Sequence, residues 1–157
     1  MGIGMKTSAM QSYPRIEDVQ KVEQQTYRLL EDIGLPFKTV LRFEWMNEKG
    51  TAVWTGETEE AGTIKIYRGC DPEVVAHELG HGFHEALYHN RKVELPYPFQ
   101  YPKDGEAIGE AIRFFVEQRR GSSWRPTRDK QTLEHCGYDF GKFRAMVRVL
   151  AQEIEQE

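Results

Sequence analysis

The sequence contains no long hydrophobic run, and residues Met1–Arg15 have no apolar core. The expectation is therefore a chain without a membrane span or a cleaved secretion signal, placed in the cytoplasm. Cysteine is scarce. Cys70 and Cys136 are the only two in 157 residues, too few for a disulfide framework, and free thiols in a reducing compartment fit at least as well as a pair. Positive charge is not in excess: 21 Lys and Arg face 25 Asp and Glu, for a net charge of −4. That balance argues for neither nucleic acid nor an anionic membrane as partner. Repeats and low-complexity segments are absent, and nothing bears on oligomeric state.

What is present is enough for one domain with a real core: 39% of residues are hydrophobic and 29% charged, as in ordinary globular proteins. After an irregular start, Val19, Val22, Leu29, Leu30 and Ile33 recur at helical spacing. Gly34 and Pro36 close this first helix, over residues 14–34. Residues 37–67 change to strand chemistry. Thr39–Met46, Ala52–Thr55 and Thr63–Tyr67 read as three short strands, with a turn at Asn47–Gly50 and a polar loop at Gly56–Gly62. Three strands in succession predict a small, mainly antiparallel sheet. Helices are predicted over 71–89, 105–121 and 138–156. The fold class is α+β: a small sheet packed on the 71–89 helix, then a mainly helical C-terminal half.

The 71–89 helix carries the chemistry. Asp71 suits an N-cap, Pro72 the first helical position, and Glu73 the first turn. Val74, Val75, Leu79, Phe83 and Leu87 supply an apolar stripe. His77 and His81, four residues apart, then project from one face, spaced to bind one Zn2+ ion. Glu78 beside them is placed as general base for a zinc-activated water. A surface or core role is the ordinary fate of a histidine. Here, however, the H-E-x-x-H pattern lies inside a well-framed helix, the context it requires.

A catalytic zinc site needs a third protein ligand. The elongated motif with a histidine six residues beyond His81 is excluded, because Leu87 stands there. His84 belongs at the edge of the site or on the surface. The better candidates are Glu106 and Glu110, one turn apart on the next helix: one carboxylate to bind metal, the other to accept a hydrogen bond from a ligand histidine and set its tautomer. Between the two helices runs a long connection, Asn90–Gly105, stiffened by Pro96, Pro98 and Pro102, with Tyr97, Phe99 and Tyr101 among them.

His77-Glu78-Leu79-Gly80-His81 followed by Glu106-Ala107-Ile108-Gly109-Glu110-Ala111-Ile112-Arg113 resembles the gluzincin metallopeptidases. The second segment is most similar to the catalytic domain of anthrax lethal factor and its relatives. The resemblance covers roughly residues 63–117 and implies a zincin-like fold. It implies Glu106 as third zinc ligand, Glu110 as support for a histidine, and a tyrosine shortly before the ligand glutamate, nearest in Tyr101 and next in Tyr97. Glu110-Ala111-Ile112-Arg113-Phe114 also resembles the ImmA-type peptidases, which would make Glu110 the ligand. Glu106 is preferred, since a ligand near the helix start leaves Glu110 a supporting role. The resemblance further implies that the strand before the metal helix runs along the cleft, so that the backbone of Ile64 and Ile66 pairs with extended substrate.

The function these residues point to is zinc-dependent hydrolysis of peptide bonds in a peptide or protein substrate. Glu78 acts as base, and a donor such as Tyr101 or His135 steadies the oxyanion. The alternatives are a zinc-binding regulatory or interaction module with little activity, and a zinc hydrolase of non-peptide amides.

Overall fold

A computed structural model describes residues 12–56, 60–88 and 103–155. Among them the order is α1 (Ile16–Ile33), β1 (Val40–Lys49), β2 (Val53–Gly56), β3 (Ala61–Arg68), α2 (Val74–Tyr88), α3 (Lys103–Arg119), α4 (Gln131–His135) and α5 (Phe140–Glu155). The protein is α+β: five helices and one three-stranded sheet among the described residues. No helix among them is long and apolar enough to cross a membrane.

The sheet departs from the sequence expectation. It is mixed, not mainly antiparallel, with strand order β1-β3-β2. β3 pairs in parallel with β1, from Val40↔Ala61 to Met46↔Tyr67, and antiparallel with β2, from Val53↔Lys65 to Gly56↔Gly62. Burial explains the order. β3 carries the most buried run, with Ile64 and Ile66 fully enclosed, and takes the centre. β1 and β2 keep Val40, Trp45 and Val53 partly in solvent and take the edges. The predicted turn at Asn47–Gly50 does not close a hairpin, because β1 continues to Lys49. The short link through Gly50–Ala52 instead passes the end of β3, where the Gly50 N–H donates to the Arg68 carbonyl at 3.3 Å. Three or four extended residues reach roughly 10–13 Å, enough to step across two strand spacings of about 4.8 Å each.

β3 is the inner strand of the sheet. Ile64 is paired with Phe43 on one side and Trp54 on the other, and Ile66 with Trp45. Backbone groups already used in ladders are not available to an added strand, so both flanks of Ile64 are taken, while the β2 ladder stops at Lys65, short of Ile66. The sheet edge beside α2 belongs to β2.

The helices form the other layer. α2 packs along α3, and α1 lies against both. Val19, Val22, Leu29, Leu30 and Ile33 of α1, Leu79 and Phe83 of α2, and Ile108, Ile112 and Phe115 of α3 are buried together, with Phe143 and Val147 of α5 closing the far side. α1 ends at Gly34, whose φ of 86° is the left-handed conformation a glycine cap adopts readily. α2 begins at Val74, after a tight turn in which the carbonyls of Asp71, Pro72 and Glu73 accept from the N–H groups three residues on. The sequence reading missed α4, a helix of five residues that buries Thr132 and Leu133. Cys70 and Cys136 are both free thiols, Cys136 buried.

Candidate metal centre

Two helices and one strand edge build the site. On α2, His77 and His81 lie one turn apart, and their Nε2 atoms approach to 3.1 Å. The Glu106 carboxylate, from the first turns of α3, spans the pair: one oxygen lies 3.2 Å from His77 Nε2, the other 2.9 Å from His81 Nε2. Zinc–nitrogen bonds of about 2.0–2.1 Å in tetrahedral array put neighbouring ligand atoms about 3.3 Å apart. Each of the three observed separations is close to that edge length, with one Glu106 oxygen facing each imidazole.

By mutual distance alone, His77, Glu78 and His81 also form a donor group, with all ligand atoms within 4.8 Å. Glu106 is a second carboxylate within reach of the pair. Its oxygens contact both Nε2 atoms, whereas Glu78 accepts the Trp54 backbone N–H at 2.8 Å. Glu110, one turn beyond Glu106, stands behind the two histidines. Its Oε2 is buried without a hydrogen bond among the described residues and lies 3.7 Å from His77 Nδ1. That is an ion-pair separation, longer than a hydrogen bond. An orphaned buried carboxylate oxygen beside the outer nitrogen of a histidine is the arrangement that orients a metal-ligating imidazole once the ring settles.

Electrostatics agree with the geometry. Burial works against the His77 cation, but Glu106 and Glu110 outweigh it and raise its pKa to about 9. The hydrogen bond from His77 lowers Glu106 to about 2. His81 is lowered by burial and by the charge of His77. Burial raises Glu78 to about 7, opposed by His77 and by the Trp54 N–H. His84 is not on the surface: it is 1% exposed, and burial, with His81 nearby, lowers it to about 4.

The close approach of α2 and α3 depends on glycines that the sequence reading passed over. A Cβ on Gly80 would lie 2.7 Å from the Gly109 Cα, and one on Gly109 would lie 2.9 Å from the His77 carbonyl oxygen. Both are shorter than any ordinary contact, so the helices cross with backbone against backbone. β2 is latched to α2 by Trp54. Its indole N–H donates to Glu85 at 3.0 Å, and its ring lies against Gly62 and Gly82 where side chains would otherwise stand. The signal for both features was in the sequence, as glycines inside strong helix and strand patterns.

The cleft that results is about 480 Å³, within the range of ligand sites. Its lining includes His77, Glu78, His81, Glu106, Glu110 and residues 51–54, which lead into the β2 edge. His135 is not among its lining residues, and it sits exposed at the end of α4. Tyr97 and Tyr101 lie outside the described residues. Compared with protein-family models, curated proteins and solved structures, the chain matches none of them.

Proposed function

We propose that the protein is a zinc-dependent metallopeptidase of zincin-like architecture. The single observation carrying this reading is the convergence of His77, His81 and Glu106 on one point, with Glu78 beside it in an open cleft. Two imidazoles and one carboxylate make a donor set of the catalytic kind, which leaves a coordination position for reactants. An ion held there supplies Lewis acidity, lowering the pKa of water and polarising a carbonyl oxygen.

The chain's own residues do the rest. Glu78 takes a proton from the attacking water and passes it to the leaving amine, and in the metal-free protein burial raises its pKa to about 7. The Trp54 N–H occupies one Glu78 oxygen and so fixes the carboxylate's direction. Glu110 orients His77 through Nδ1. An extended peptide would lie along the cleft beside β2.

The test is cleavage of a mixed peptide pool by zinc-loaded protein beside Glu78→Gln. The variant should bind zinc as the parent does and lose on the order of 10²–10⁴ in cleavage rate. Zinc binding by both proteins without cleavage by either would remove the peptidase assignment and favour a zinc-binding module.

A further inference from the structure

The polar stripe on α3 does not stop at the two glutamates. Glu106, Glu110, Arg113 and Glu117 follow one another at helical spacing on one face, and the first three line the cleft. Arg113 and Arg128, from the loop after α3, are the positively charged side chains among the cleft-lining residues, where Glu78, Glu85, Glu106 and Glu110 supply negative charge.

Arg113 is held in place as a binding group would be. Its side chain is only 14% exposed. Its Nε donates to Glu117 Oε2 at 2.8 Å, and Glu117 is itself buried and also accepts from the Ser122 hydroxyl. The guanidinium carbon lies 4.2 Å from the centre of the Trp124 ring, so one face of the planar group is covered. The Trp124 N–H in turn donates to Ser122 Oγ, which ties the covering loop to the same cluster. The terminal nitrogens of Arg113 have no partner among the described residues. A guanidinium with its Nε satisfied, its face stacked and its outer nitrogens unassigned presents two parallel donors of the kind that match a carboxylate.

We propose that Arg113, with Arg128 at the rim, forms a carboxylate-binding subsite, and that the protein's ligands are peptides carrying a carboxylate near the bond to be cut. The proposal takes its peptide ligand from the metallopeptidase reading. Seven helical residues separate Glu106 from Arg113, an axial distance of about 10 Å. An extended peptide advances about 3.3 Å per residue. For a peptide running alongside α3, the recognised carboxylate would lie about three residues from the scissile bond. It is either the peptide's C-terminus or an acidic side chain.

The test is binding, so that it stands apart from turnover. Zinc-loaded Glu78→Gln is titrated calorimetrically with N-acetylated pentapeptides in matched pairs. One pair differs in a free or amidated C-terminus. The others, all amidated, differ in glutamate or glutamine at one position. One carboxylate form should bind about tenfold to a hundredfold more tightly than its neutral twin, the effect of a charge-assisted bidentate contact, and the pair that shows it identifies the source. Adding Arg113→Gln together with Glu117→Gln, which leaves no buried carboxylate unpaired, should bring the twins within about twofold of each other. If that combination does not fold, Arg113→Lys, which keeps the charge and loses the planar fork, should cut the preference severalfold. Equal binding of all twins, no binding of any, or a preference that survives both Arg113 changes would overturn the subsite. Carboxylate preference without cleavage by the parent would count against the peptidase and leave the subsite standing. Cleavage without preference would do the reverse.

Discussion

The contact between Gly80 and Gly109 sets how near α3 can bring Glu106 to the histidines of α2, and Gly80→Ala perturbs that contact most, with Ile112 Cδ1 also met at 3.4 Å. The added Cβ would sit 2.7 Å from the Gly109 Cα. Carbon atoms in contact lie about 3.5–4.0 Å apart, so the helices must separate by about 1 Å. Two effects then oppose each other in stability. Alanine in place of glycine in a helix interior gains about 1 kcal/mol. Overpacking of a close contact costs about 1–3 kcal/mol. The net loss is about 0–2 kcal/mol, a fall in Tm of no more than about 8 °C at this chain length. Stability is therefore a weak readout. The site is a strong one, because Glu106 now touches His77 at 3.2 Å and His81 at 2.9 Å. An added ångström carries those separations to about 4 Å, beyond the roughly 3.3 Å edge of a tetrahedral zinc site. Zinc affinity should fall clearly, measured by competition with a chromophoric chelator. Peptide cleavage should fall on the order of a hundredfold, the usual cost of an ångström's misplacement. Gly109→Ala, whose Cβ would meet the His77 carbonyl oxygen, should do the same from the other helix. A Gly80→Ala protein with raised Tm and undiminished zinc affinity would refute the argument that this crossing sets the ligand geometry.

Glu110→Gln should keep the metal and weaken its binding about 10–100-fold, the range for partners that orient a ligand histidine, while Glu106→Gln should lose stoichiometric zinc; the opposite ranking, in the same chelator competition, would make Glu110 the ligand. Zinc uptake should release a proton, since a His77 pKa of about 9 leaves that ring protonated at neutral pH in the metal-free protein. Apparent affinity should then rise about tenfold per pH unit between about pH 7 and 9, and titrations in buffers of different ionisation heat would count the proton. The same shift fixes a sign for the metal-free fold. A folded pKa above the unfolded value of about 6.5 stabilises below that value, and the contribution is lost as pH rises through 9, so metal-free Tm should fall over that interval unless zinc is added.

Much of the α-helical part was legible because burial in a helix leaves a 3.6-residue trace. The residues at that spacing in α1, Val19 to Ile33, and in α3, Ile108 to Val116, are those the structure buries. The histidine pair was legible for the same reason, since four residues of helix set its spacing whatever the helix packs against. The sheet was less so. Alternation in Thr39–Met46 marks a strand but not its neighbour, and adjacency in sequence suggested hairpins where β3 inserts between β1 and β2. α4 was missed because five residues are too few to show a period.

The sequence by itself determined the local chemistry: which residues are helical, which imidazoles share a face, and which carboxylates lie one turn apart on the next helix. These follow from backbone geometry over a few residues. Only the tertiary structure decided how those pieces meet. Glu106 rather than Glu110 faces the two Nε2 atoms, across helices that Gly80 and Gly109 let cross backbone to backbone. The Trp54 N–H reaches Glu78 because β2, not β3, forms the edge beside α2. Arg113 lines the cleft because Glu117 and Trp124 hold it in place. Each is a contact between residues distant in sequence, set by packing and burial across elements, and no local pattern records it.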